Sequence, residues 1–361
     1  MEEQIQNSEI HAQENAEPAQ ETPAEKPEGK GITGSTLKLI AIVTMFIDHV
    51  GAALFEHYLY TFLVPNGGEY CKAMISAKAP WLWMDWMGNE QTVLSIDMTL
   101  RSIGRIAFPI FCFLLVEGFM HTRNIKKYLL RLGIFALVSD VPFDLAFFAQ
   151  IGFSHQNVFF TLFIAVLAMW AIDHVKRQES FNGFHKFTDK IAFLVAGAFA
   201  AFASIKSMVS IIGIIGGSFF GESAVIENVI TGVVGFIAGV VVYLILSKKW
   251  DADKKQRISV GMLYLFGFFT LAEILHTDYA GWGVLGVVAI YLARPGWNKG
   301  FGAGCLALII KNFGEMTALI GMPFVARYNG KRGLKMKYFF YAFYPAHLLI
   351  LFLIRYYLLG I

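Results

Sequence analysis

The sequence predicts an all-α polytopic membrane protein with about ten to eleven transmembrane helices. Three observations carry this. Of 361 residues, 56% are hydrophobic and only 16% are charged, with mean hydropathy +0.54, whereas a soluble domain of this length needs far more polar surface. Apolar runs near the length of a bilayer crossing recur along the chain. Short basic segments separate many of them. The net charge of +3 gives no case for nucleic-acid binding. Cys71, Cys112 and Cys305 are scattered, so neither metal spacing nor a disulfide framework is readable.

Residues 1–31 are rich in Glu, Gln, Ala and Pro and nearly free of large apolar side chains. They cannot bury enough surface to offset ordering entropy, and read as a disordered acidic tail before a transmembrane domain over 32–361. The first span, about 37–55, carries Lys38 near one end and Asp48-His49 deep inside. Charge there costs roughly 2.5–3.5 kcal/mol on insertion scales, so it faces a cavity or a partner. Lys38 and His49 are eleven residues apart, about three turns, and share a face. Residues 56–97 read as a long outer loop with a Trp-rich boundary stretch, PWLWMDWM.

The second span, 98–120, holds Arg105 and Glu117. The third, about 127–149, holds Arg131 and then Asp140 and Asp144 around Pro142. The fourth is about 157–173, followed by a charged loop over 174–190. Further spans fall near 191–216, 229–247, 258–275 and 280–293. Residues 301–326 are apolar but broken at KNFGE, which favours a hairpin of half-helices, and the last span runs from about 337 to 359. With a cytoplasmic N-terminus the first four basic loops lie inside. The fifth, YNGKRGLKMK, joins them only if 301–326 dips in and returns.

Several strings occur in an order that resembles a known family: LKLIAIVTMFIDHVGA at 37–52, RSIGRIAFPIFCFLLVEGFMHTRNIKKYLLRLGIFALVSDVPFDLAF at 101–147, HQNVFFTLFIAVLAMW at 155–170, TDYAGWGVLGV at 277–287, YNGKRG at 328–333 and YFFYAFYPAHLLIL at 338–351. Together they resemble the TraX family of membrane proteins, named for the conjugation protein that acetylates the N-terminus of pilin. Only an extended middle, about 180–228, lies outside the resemblance. The first helix alone is also similar to that of transmembrane acyltransferases.

The resemblance implies a bundle like those acyltransferases, in a bacterial-type cytoplasmic (inner) membrane. It implies acetyl transfer from acetyl-CoA, with no metal, to an amine or hydroxyl. The acceptor would be the N-terminus of an exported protein or an envelope sugar. An ion-coupled transporter and a non-catalytic pilus or envelope assembly factor are the alternatives.

Acetyl transfer needs a base, a positive partner for the carbonyl oxygen and cations for the donor's phosphates. His49 fits the base. Adjacent helix residues point about 100° apart, so Asp48 is expected to pair with a basic residue on another face rather than orient His49. His347 is the second candidate base, and the alternative is a buried His bonded to a carbonyl opened by Pro345. His155 and Asn157 either meet the acceptor or close a helix end.

Arg105 reads as a charge partner of Asp48 or Glu117, or as a donor-binding cation beside the carbonyl that Pro109 frees. Glu117 and His121 are spaced to pair along one helix. Lys38, Arg123, Asn329, Lys331 and Arg332 are candidates for gripping CoA, or else charges that set topology. Asp140 and Asp144 form an acceptor or proton site, or pair with Arg101, Arg105 or Arg131. Asp278 reads most simply as a helix cap.

Overall fold

The computed structural model describes residues 31–177, 191–192, 194–205, 224–294, 296–335 and 337–359. All but the last residue of the expected tail over 1–31, most of the charged loop over 174–190 and much of the extended middle lie outside these residues. Every regular element described is helical. We name them α1 (Gly34–Asn66), α2 (Gly68–Lys78), α3 (Glu90–Gly104), α4 (Ala107–Met120), α5 (Ile125–Phe148), α6 (Val158–Arg177), α7 (Leu194–Ile205), α8 (Ala224–Ser247), α9 (Ala252–Ile274), α10 (Ala280–Leu292), α11 (Trp297–Lys311), α12 (Phe313–Ala326) and α13 (Lys337–Leu359).

Side-chain caps set several starts. Thr33, Asn89, Asn124 and Asp251 accept from the backbone N–H three residues on, at the entries of α1, α3, α5 and α9. Each satisfies a donor that a helix start leaves without an internal partner. The turn YNGKRG has a structural role of the same kind. Gly34 and Ser35 donate to the carbonyls of Lys331 and Arg332 at 2.8 and 3.0 Å, and Leu334 donates to Ser35 Oγ at 3.0 Å. The turn therefore caps α1 and holds Arg332 beside the Lys38 end of that helix.

Among the described residues, six helical stretches are long and apolar enough to cross a membrane: Gly34–Asn66, Glu90–Met120, Val158–Arg177, Val229–Ser247, Ala252–Ile274 and Phe339–Leu359. Ten or eleven crossings are not reached by length and composition. α5 has 24 residues, about 36 Å at 1.5 Å per residue, but carries charged side chains within its length. α10 has 13 residues and α11 has 15, short of the roughly 20 that a full crossing needs.

The KNFGE break is a helical hairpin. Asn312 leaves the helical region, and its side chain accepts from Gly314 N at 2.9 Å to start α12. The chain then returns, so that Tyr328 lies 4.9 Å, ring to ring, from Trp297 at the start of α11. The fifth basic loop thus stands at the same end as the RPGWNK segment.

Residues 56–97 are not the long loop that composition suggested. α1 continues through π-helical turns at Gly51–Glu56 and Leu59–Leu63, and α2 and the start of α3 fill most of the remainder. Tyr58, Leu59, Leu63, Cys71, Ile75 and Val93 bury one another with Leu359, forming a small second core. Cys71 is buried there rather than lying in a loop. The main core joins α1, α4, α5, α6, α9, α10, α11, α12 and α13. By contrast α8 exposes Val233, Val234, Ile237, Val241 and Leu244, an apolar surface suited to lipid.

Candidate functional site

Two cavities enter the bundle from opposite ends. One, of about 620 Å³, lies at the end that carries the basic turns. It is lined by Lys38, His121, Tyr128, Arg131, Arg332 and Tyr341 among others. The second, of about 480 Å³, lies at the opposite end and is lined by Asp48, His49, Arg101, Arg105, His155, Asp278 and Tyr279 with a set of aromatic rings. We label the cavity at the basic turns inner and the other outer. Met45, Phe111, Val158 and Tyr344 line both, so these four side chains form the wall where the cavities meet.

His49 stands beside this wall. Its Nδ1 lies 2.7 Å from Nε2 of His347 on α13, and the two rings are nearly coplanar at 4°. His347 Nδ1 lies 2.8 Å from the Phe343 carbonyl, its own i−4 carbonyl rather than the one Pro345 frees. A carbonyl only accepts, so His347 Nδ1 carries the proton. With both rings neutral, His347 Nε2 must accept, and His49 Nδ1 donates to it. His49 Nε2 is then the unprotonated nitrogen, and the π-helical turn that follows at Gly51 marks a local change of helix register beside it.

Asp48 points elsewhere, as the helical phase requires. Its Oδ2 accepts from Arg101 at 2.6 Å, so its partner on the second span is Arg101 and not Arg105 or Lys38. Gly104 makes this approach possible, since a Cβ there would overlap Cβ, Cγ and Oδ1 of Asp48. Arg105 lines the same cavity but pairs at 3.1 Å with Glu315 of α12. The α3–α4 helix breaks at Arg105–Ile106 because Pro109 has no N–H for the Arg105 carbonyl.

The other candidates separate cleanly. His155 lines the outer cavity, 5.1 Å from the Phe148 ring. Asn157 does not. It is fully buried, donates to the Ala136 carbonyl and Asp140 at 2.8 and 3.0 Å, and accepts from Phe159 N at 3.0 Å. Asp144 accepts from Gly152 N at 2.8 Å, holding the turn after α5. Neither Asp140 nor Asp144 lines a cavity or forms an ion pair with the arginines proposed for them.

Glu117 lines the inner cavity but pairs with Arg294 at 2.6 Å, while His121 bonds the Glu117 carbonyl instead of its carboxylate. Asp278 is not a cap. Tyr279 takes that position in a left-handed conformation, and Asp278 turns into the outer cavity. Burial pushes the Asp278 carboxyl up, against the opposing pull of Lys311, Arg105 and Arg101.

Of the donor-binding candidates, Lys38 and Arg332 line the inner cavity. Arg123 and Lys331 are exposed and lie outside it, and Asn329 holds its own turn by accepting from Lys331 N at 3.0 Å. Arg131 was legible as a charge inside the third span but not as a site residue. It lines this cavity with its Nε buried and unpaired, a donor for an anionic group. Arg101, Tyr279 and Tyr344 were likewise missed. For Arg101 the signal was its place one turn before Arg105.

The chain was compared with known proteins. No solved structure matches it. Over 83 residues it is 45% identical to a protein of Dichelobacter nodosus described as "Probable fimbrial assembly protein FimC, serogroup H1", a match that covers 19% of this chain and 32% of that protein. The family described as "TraX protein" matches over residues 33–221 and 219–355, taking in both cavities and the histidine pair between α1 and α13, and the chain belongs to that family.

Proposed function

We propose that the protein is an integral-membrane acetyltransferase that moves an acetyl group from acetyl-CoA to an amine or hydroxyl of an exported protein or envelope glycan. The observation that carries this reading is the meeting of two cavities beside the His49–His347 pair. A donor and an acceptor entering from opposite ends reach one another only there.

His49 Nε2 takes the proton of the acceptor as it attacks the thioester carbon, and then protonates the departing sulfur. His347 orients the ring through Nδ1 and stabilises the imidazolium that forms. Lys38, Arg131 and Arg332 suit the phosphates of the donor. Their end of the bundle carries the basic turns, which favours a cytoplasmic position for it. The outer cavity combines the carboxylates of Glu56 and Asp278 with aromatic rings, a lining suited to an amine or a sugar. The fimbrial assembly protein among its relatives favours a protein of a surface appendage as acceptor.

The test uses the purified chain in detergent with labelled acetyl-CoA. Transfer of label, or release of CoA, is expected for the wild type and is abolished by His49→Ala. If the His49→Ala protein turns over normally, the assignment of the base is wrong.

A further inference from the structure

Tyr344 stands in the wall between the two cavities and is 3% exposed. Its hydroxyl is buried and has no hydrogen-bond partner among the described residues. Leaving such a group unpaired is costly, and native structures do so rarely. The ring itself is well fixed. It meets Phe159 edge to face at 5.1 Å, and its centroid lies 5.9 Å from that of His49 and 5.6 Å from that of His347. Tyr344 and His347 are three residues apart on α13 and so share a face. Val158, the first residue of α6, lines both cavities together with Tyr344.

We propose that the Tyr344 hydroxyl is the donor that stabilises the oxyanion of the acetyl group being transferred. The proposal rests on the acetyl-transfer reading above and adds a catalytic residue to it. The acceptor's lone pair attacks the carbonyl carbon, and the carbonyl π electrons move to oxygen. Tyr344 O–H donates to that oxygen while His49 Nε2 takes the acceptor's proton. The carbonyl re-forms, the C–S bond breaks, and the proton passes from His49 to sulfur. The products are the acetylated acceptor and the free thiol of CoA. A hydroxyl waiting without a partner in the resting protein needs no rearrangement to meet charge that develops only in the transition state.

Y344F keeps the ring and its contacts and removes only the hydroxyl. The full chain in lipid nanodiscs is given labelled acetyl-CoA with water, and separately hydroxylamine, as acceptor, and CoA release is followed. Loss of one oxyanion donor lowers turnover by about a hundredfold to a thousandfold. KM for acetyl-CoA stays within about twofold, and thermal unfolding is unchanged or raised, because a buried unpaired hydroxyl has been removed. Wild-type turnover in Y344F overturns the proposal and leaves the acetyl-transfer reading standing. A fall in thermal stability or a loss of donor affinity in Y344F also overturns it, since the hydroxyl would then serve packing or donor binding. A wild-type protein that releases no CoA with either acceptor defeats the acetyl-transfer reading, and the proposal falls with it.

Discussion

Replacing Gly104 by alanine puts a methyl group where the Asp48 side chain already lies. The overlap is with Cβ, Cγ and Oδ1 of Asp48, and Cβ is fixed to the α1 backbone, so no rotamer change relieves it. The two helices must part by about 1 Å or more to restore ordinary carbon–carbon contact near 3.5 Å. Overpacking of this kind costs about 1–3 kcal/mol. The separation also stretches the 2.6 Å Arg101–Asp48 bond beyond hydrogen-bond length. A charge-assisted bond contributes about 1.5–3 kcal/mol, reduced here because Arg101 is 26% exposed. Alanine returns about 1 kcal/mol of helix propensity, leaving a net loss of about 1–4 kcal/mol. The control is Gly261→Ala in α9, where an added Cβ meets nothing within 4 Å and the same propensity gain stands alone. Thermal unfolding of both variants in one detergent gives the comparison. Gly104→Ala unfolding at or above the temperature of Gly261→Ala would refute the close crossing of α1 and α3 at Asp48.

If acetyl-CoA enters the inner cavity as proposed, the cations that line it are separated from those that do not. Lys38→Ala and Arg332→Ala raise KM for acetyl-CoA about tenfold, as expected for losing a charged contact to phosphate. Arg123→Ala and Lys331→Ala leave it within about twofold, and initial rates against acetyl-CoA concentration decide. Towards the opposite end of the bundle, buried Arg355 donates to the Leu145 and Ala146 carbonyls at 2.8 Å, closing the end of α5. Arg355→Met leaves these acceptors without their donors and costs about 1–3 kcal/mol, read as a lower unfolding temperature.

What the sequence could reveal was whatever depends on neighbours along the chain. Six of the expected spans, the basic turns and the return at KNFGE follow from composition over a few turns of helix. The divergence of Asp48 and His49 follows from 100° per residue, and the structure sends them to α3 and α13. The partners themselves were not legible. His49 and His347 are 298 positions apart, and Asp48 and Arg101 are 53. Helical phase says which face a charge occupies but not which helix will cover it. Arg101 and Arg105 share a face of one pattern, and only the break that Pro109 causes sends one to Asp48 and the other to Glu315. Residues 56–97 were misread for a related reason. Pro65, Gly67, Gly68 and Pro80 interrupt the periodicity, yet the pieces between them are helices with a core of their own.

On the acetyl-transfer reading proposed above, the ion pairs account for the assignment of the chemistry to the histidines. Three carboxylates of the bundle are tied to arginines elsewhere in the chain, Asp48 to Arg101, Glu117 to Arg294 and Glu315 to Arg105. Pairing of this kind lets charge persist in an apolar setting, and it fixes helix against helix while occupying the groups that could otherwise move protons. Asp48 is a positioning residue in this arrangement. It sets where α1 meets α3 and so where the next residue stands, without touching the His49 ring. The histidines are joined to each other and to a backbone carbonyl, with no carboxylate in the chain of bonds. A neutral imidazole needs no counter-ion at rest, so a proton can be taken up and released at Nε2 without breaking a pair that the fold depends on. A His49–carboxylate pair at the same place would bring a further charge into the wall between the cavities. The His–His pair leaves that charge to form only during reaction, when a substrate fills both sides.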